Sequence, residues 1–380
     1  MRFSRLAVLF IATFLITDRG SAQGPTKTKA QLQTQVEFEI ADHMRSYRIR
    51  GMSLAVIHNF EIDWAKGYGI LDDATRKPVD TETLFQAGSI SKAVTAVGAM
   101  SLIEQGRLSL DTDVNQHLES WKVPENQFTR TEKVTLRRIM SHTAGLTVHG
   151  FAGYAEGAKL PTIPQVLDGI KPANNAAVRV DVLPGTIARY SGGGTTVMQL
   201  VMTDVTNREF PDLMRELVLS KAGISHSTYA QPLPQVLRSN AASGYQDNGK
   251  PVEGKYHTYP EMAPAGLWTT ASDLALFAIE IAKSRQGRAN HILRQSTVEL
   301  MTTVEKDEYG LGFQLTTRNG IQRFGHTGGT HGFRALVTCT FDGDGVAVMT
   351  NSDNGFQLAS EIAAWVEDAY GWKRQTTATR

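Results

Sequence analysis

The strand-forming stretches of this 380-residue chain lie toward its two ends, and a long, mostly helical stretch separates them. Met52–His58 and Glu61–Ile70 read as two strands around a tight Asn59–Phe60 turn, a hairpin. Strand patterns return at Gly310–Thr317, Gly320–Gly328, Phe333–Phe341 and Gly345–Ser352, with Asp-Gly-Asp-Gly as a turn signal between the last two. Between these groups, apolar spacing predicts helices over Ser89–Gln105, Leu136–Met140, Ile163–Asp168, Thr195–Thr206, Pro211–Val218 and Ser272–Lys283. Ser296–Met301 reads as another short helix. Gln31–Ile49 and Phe356–Trp372 read as amphipathic helices closing the two ends. Strands at both ends imply a discontinuous α/β sheet domain, residues 23–85 with 270–380, and a mostly helical domain over residues 86–269. With 41% hydrophobic and 20% charged residues, the chain can fill a large core.

The first residues read as a targeting segment. Arg2 and Arg5 precede an 11-residue apolar run, Leu6–Ile16, followed by the small residues Gly20, Ser21 and Ala22. The run is shorter than the roughly 18 residues that span a bilayer, and the pattern is that of a signal peptide over residues 1–22. Its loss removes three arginines and one aspartate, taking the formal charge from +1 to −1. A near-neutral chain without a basic cluster offers no footprint for nucleic acid. The single cysteine, Cys339, lies in an apolar run and reads as a buried core thiol. An exported chain without a disulfide fits a periplasmic location, with no membrane span after cleavage.

Several chemistries are absent from the pattern. There is no G-x-S-x-G, H-E-x-x-H, C-x-x-C, P-loop or G-x-G-x-x-G, and the ten histidines have no tight metal-ligand spacing. No metal or organic cofactor is therefore expected. What remains is Ser89-Ile90-Ser91-Lys92 at the start of an apolar, Ala-rich run. Residues i and i+3 share a helix face, so a desolvated Lys92 could take the proton of Ser89. Ser89 could equally be an ordinary helix N-cap.

Context separates these readings. Thr83–Lys92, Val134–Leu146, Pro184–Gly194, Pro264–Phe277 and Phe324–Phe333 follow one another in an order that resembles the class C β-lactamase and penicillin-binding-protein family. The likeness runs from about Gln31 to Trp372. It implies a β-lactamase/transpeptidase-like α/β (α+β) fold, an antiparallel sheet flanked by terminal helices with the active site between sheet and helical domain.

By that resemblance Ser89 is the nucleophile, and Lys92 and Tyr190 handle the proton, the choice of base between them left open. A Tyr190 phenolate would be favoured by nearby positive charge. The amides of Ser89 and Gly329 would form the oxyanion hole, and His326, Thr327, Gly328 and Gly192 would border the substrate. Two positions depart from the family pattern. Gly192 stands where an Asn is common, and His326 where Lys is common, so carboxylate capture would be weaker and pH-dependent. The implied activity is an exported serine hydrolase of a small ester, a D-amino-acid peptide or, poorly, a β-lactam. An acyltransferase of the same fold or a cell-wall-binding protein without turnover are the alternatives. His142 is expected to bond backbone near the site. Arg334 could supply positive charge or merely face solvent, and His331 could line the cleft or face solvent. Trp268 and Tyr154 could shape the pocket or pack in the core. Asn351 and Asn354 are expected to cap turns.

Overall fold

The computed structural model describes residues 27–372, so the leader read in residues 1–22 lies outside the described residues. Eight strands occur among the described residues: β1 (Gly51–His58), β2 (Glu61–Gly69), β3 (Phe85–Gln86), β4 (Trp268–Thr269), β5 (Gln314–Arg318), β6 (Ile321–Thr330), β7 (Phe333–Thr340) and β8 (Gly345–Thr350). Six of them make one antiparallel sheet in the order β2-β1-β8-β7-β6-β5. The two ends of the chain therefore meet in mid-sheet, where β1 pairs with β8 from Met52↔Thr350 to Ile57↔Gly345.

The sheet is covered on both faces, so β1 is apolar on both. Met52, Leu54 and Val56 point to the terminal helices and share a core with Val36, Ile40, Leu358, Ile362 and Val366. Ala55, Ala347 and Met349 point the other way, into the large core that includes the helix Ala271–Arg285. Asn59 (φ 53°) and Phe60 (φ 66°) are both left-handed, as a two-residue hairpin turn with the right twist requires. The Phe60 ring covers Gly343 so closely that a Cβ there would lie 2.4 Å from it.

Several elements differ from the sequence reading. The N-terminal helix is two helices, Lys29–Glu37 and Ile40–Ser46, with a break at Glu39 that leaves Phe38 82% exposed. Val36, Ile40 and Met44 keep a four-residue spacing across the break, so the apolar stripe carries no sign of it. Gly310–Phe313 is not strand. The amides of Leu311 and Gly312 donate instead to the carbonyls of Met301 (2.9 Å) and Met140 (3.0 Å), and β5 starts only at Gln314. Phe210–Met214 is α-helical and then widens into a π-turn, Arg215–Leu219. The helix expected from Thr195 begins at Gly192, because Ser191 caps it by accepting from the Gly194 amide at 2.9 Å.

Long-range clamps hold the segments that matter. The short β3–β4 ladder (Phe85↔Thr269, Gln86↔Trp268) ties the approach to Ser89 to the segment after the helix Met262–Ala265. Asn351 accepts from the Gly51 amide at 2.7 Å, and Asn354 donates to the carbonyls of Tyr47 (3.0 Å) and Asp247 (2.9 Å). Both asparagines thus bridge distant backbone and do more than cap local turns. Trp268 is core, edge-on to Tyr256 and Phe333, and Tyr154 is buried as well. Cys339 is a buried free thiol, its ionisation pushed upward by burial.

Candidate active site

Ser89 stands immediately before the helix Ile90–Glu104, and its hydroxyl makes no capping bond. Its partner is Lys92, whose Nζ lies 2.9 Å from Ser89 Oγ and 3.0 Å from the Pro264 carbonyl. One helical turn places the two side chains on the same face. Lys92 is buried, and desolvation, which penalises the ammonium, lowers its pKa to about 7. An amine at that value is neutral often enough to accept a proton and still charged often enough to return one.

Tyr190 enters from the other side, one residue before the cap of the helix Gly192–Thr206. Lys92 Nζ sits 4.7 Å from the centre of its ring, and the rings of His142 and His149 approach to 4.4 and 4.8 Å. Burial raises the Tyr190 pKa, and a hydrogen bond with Ser89 only partly offsets this. The phenolate expectation is therefore corrected: desolvation outweighs nearby positive charge, and the buried His142 imidazole adds little of it. His142 and His326 are both held below the ordinary range, first by burial and then by Lys92.

β6 forms the opposite wall, and its alternation sorts its residues. Thr327 and Gly329 are exposed toward the cleft, while His326 and Gly328 are buried. Gly328 faces the nucleophile turn so tightly that a Cβ would lie 1.8 Å from the Ala87 carbonyl oxygen and 3.2 Å from the Ser89 nitrogen. On Gly88 a Cβ would meet the Gly329 nitrogen at 2.5 Å. The Ser89 and Gly329 peptides are thus neighbours across this contact, an arrangement available to two converging amide donors. Gly328 makes that approach possible and is not itself placed to touch substrate.

Other expectations need correction. Gly192 does not border the cleft. It is buried, and a Cβ there would meet the His149 carbonyl oxygen at 3.0 Å and the Phe151 ring at 3.2 Å. His326 lines the cleft but is not a partly charged surface imidazole: burial lowers its pKa to about 4, so it is neutral near pH 7. Arg334 is neither solvated nor free, because it pairs with Asp353 at 2.7 Å on the cleft wall. His142 accepts from the Ser191 amide at 3.3 Å, the backbone role expected of it. His331 lines the cleft and stacks on His257 at 4.6 Å.

The cleft has a volume of about 730 Å³. Sequence reasoning missed His149, Phe151, His257, Tyr309 and Asp353 among its lining residues. Of these, only His149 and Phe151 had a local signal, since they follow the Ser141–Leu146 motif by a few residues. Among the described residues there is no group of three or more His, Cys, Asp or Glu side chains that could hold a metal ion.

Comparison with known proteins bears on this geometry. Residues 37–370 match the Beta-lactamase family. The unguisins hydrolase of Aspergillus violaceofuscus is 24% identical over 412 residues, covering 94% of this chain and 69% of that protein. Penicillin-binding protein 4 of Amycolatopsis lactamdurans is 26% identical over 329 residues, covering 80% of this chain and 81% of that one. Among solved structures, the octameric penicillin-binding protein homologue from Pyrococcus abyssi superimposes with a TM-score of 0.75 at 23% identity, over 90% of this chain and 78% of that one.

Proposed function

This chain belongs to the beta-lactamase family, and from that premise we propose that it is a serine hydrolase cleaving a carboxylic ester or amide through an acyl-Ser89 intermediate. The observation that carries the reading is the 2.9 Å contact between Ser89 Oγ and a buried Lys92 whose pKa lies at about 7. Neutral Lys92 takes the Ser89 proton as Oγ attacks the carbonyl carbon. The carbonyl oxygen becomes an oxyanion facing the Ser89 and Gly329 amides. Collapse re-forms the carbonyl and breaks the bond to the leaving oxygen or nitrogen, which receives a proton through the neutral Tyr190 phenol, itself reprotonated from Lys92. Water then repeats the sequence on the acyl-enzyme, with Lys92 again accepting the proton and Ser89 as the leaving group.

Hydrolysis of an ester, or of a D-peptide bond with no free carboxylate beside it, is favoured over efficient β-lactam turnover. Gly192 offers no side-chain amide to the substrate, and neutral His326 offers no fixed cation. Arg2, Arg5 and the run Leu6–Ile16 support export to the periplasm. No helix among the described residues is long and apolar enough to cross a membrane. The test is a panel of short-chain esters, D-Ala-D-Ala peptides and nitrocefin, with the acyl-enzyme trapped and located by mass spectrometry. Turnover with the acyl group on Ser89, lost in Ser89→Ala, is the expected result. Undiminished turnover in Ser89→Ala would refute it. N-terminal sequencing of protein recovered from a periplasmic fraction tests the export reading, with a start near Gln23 expected.

A further inference from the structure

Arg334 is the one guanidinium or ammonium on the cleft wall among the described residues. It stands beside the reaction centre: it is registered against Gly329 across β6 and β7, and a Cβ on Gly329 would lie 3.4–3.5 Å from its Cδ, Nε and Nη1. A free guanidinium there would draw a substrate carboxylate toward the scissile bond. It is not free. Nη1 donates to the carbonyls of Thr330 (2.7 Å) and Phe333 (2.8 Å) and is 2.7 Å from Asp353 Oδ1. The same Asp353 oxygen accepts from the Gly332 amide at 3.0 Å, which fixes the carboxylate to the β6–β7 turn. Phe356 closes over the guanidinium, 5.3 Å from its ring centre. The side chains of Arg334 and Asp353 are only 22% and 16% exposed, so little water screens the pair.

We propose that Asp353 is a specificity-determining residue that occupies Arg334, so that the cleft takes acyl donors carrying no charge beside the scissile bond. Neutral esters and capped or internal amides are its substrates, in preference to the corresponding free acids. The proposal rests on the acyl-Ser89 reading and names the substrate class of that same site. The remaining charge inventory agrees. Buried His326 is neutral, and burial keeps Tyr190 and Tyr309 as phenols. Glu308, which accepts from the cleft residue Gln314 at 3.1 Å, adds negative charge near the Tyr309 side. An incoming carboxylate would shed its hydration and meet an Arg334 already paired with Asp353, while Lys92 Nζ is engaged by Ser89 Oγ and the Pro264 carbonyl.

The experiment uses two matched pairs of p-nitrophenyl and aryl esters at pH 8, above the ordinary imidazole range. One pair differs by a carboxylate or its methyl ester on the acyl chain, the other on the leaving phenol. Rates of Ser89 labelling by neutral and carboxylate-bearing fluorophosphonates give a readout independent of turnover. The neutral member is expected to lead at least tenfold in kcat/KM in one pair or both, and in labelling rate. Asp353→Asn, which keeps an oxygen for the Gly332 amide, is expected to shrink that ratio at least fivefold by speeding the acid member. Arg334→Met, which leaves Asp353 unopposed, is expected to widen it. A wild-type ratio near one in both pairs, a lead for the acid members, or an unchanged ratio in Asp353→Asn would overturn the proposal. Absence of any label on Ser89 would instead overturn the acyl-Ser89 reading beneath it.

Discussion

Lys92 and Glu261 are buried ionisable groups of opposite sign that converge on one short helix, Met262–Ala265. Glu261 precedes that helix, and Lys92 bonds to its Pro264 carbonyl. Burial moves both toward the same value, Lys92 down to about 7 and Glu261 up to about 7. Their surroundings differ. Lys92 has two oxygen partners, one of them the Ser89 hydroxyl. Among the described residues neither carboxyl oxygen of Glu261 has a partner in good hydrogen-bond geometry, and a weak contact with the Tyr154 phenol only partly offsets its burial. Desolvation alone makes a neutral group. A reactive neighbour makes that neutral group a base, and without one the burial is only a cost.

The largest expected effect comes from removing the partner that distinguishes the two sites. Ser89→Ala or Lys92→Met is expected to lower kcat for ester hydrolysis by at least about 10³-fold, with the thermal melt checked to show that the fold persists. Tyr190→Phe keeps the ring against Lys92 and removes only the hydroxyl, so a loss of about 10²-fold in kcat is expected. Leaving-group dependence sharpens this, because a p-nitrophenolate that needs no proton should suffer less than an alkyl alcohol.

Glu261 gives the stability counterpart. Its carboxyl ionises near 4.5 in the unfolded chain and at about 7 in the fold, so the folded state holds the proton more tightly. Stability is therefore greatest below about 4.5 as far as this group is concerned, and is lost as pH rises through about 7. Glu261→Gln is expected to raise stability at pH 8 by about 1–3 kcal/mol and to flatten that pH dependence, read by urea melts at pH 5 and pH 8. No change in either would show that the carboxyl is better solvated than its burial indicates.

The smallest effect concerns His326. With a pKa of about 4 it stays neutral from pH 5.5 to 8, so KM for a carboxylate-bearing ester should not vary through this residue over that range. A KM that climbs between pH 6 and 7 in the parent and not in His326→Gln would reveal an exposed, titrating imidazole.

What could be read from the sequence was local. β1 and β8 announced themselves as short apolar runs bounded by turns, and Ser89, Lys92, Tyr190 and His326 stand in short segments with recognisable neighbours. The antiparallel sheet built from both ends of the chain is the one these runs required. What could not be read depends on residues far apart in the chain. The Pro264 carbonyl that receives Lys92 is 172 residues away, and the Asn351 and Asn354 clamps reach backbone roughly 100 to 300 residues away. The charge state of His326 and Tyr190 follows from burial, which no local pattern records. The predicted helix begins at Thr195 because glycine is a poor helix former, yet Ser191 caps a helix that already includes Gly192–Gly194. Asp353 lies in a turn-like stretch, and only the fold brings it to Arg334.

The central claim is that Ser89 is activated by a neutral Lys92. The direct measurement is the second-order rate of Ser89 phosphonylation by an uncharged fluorophosphonate between pH 5 and 10, with the adduct located by peptide mass spectrometry. The expected result is a label on Ser89 whose rate falls tenfold per unit below pH 7 and levels off above it, with a midpoint at about 7. A label on another residue, or a rate still climbing toward pH 10, would contradict it.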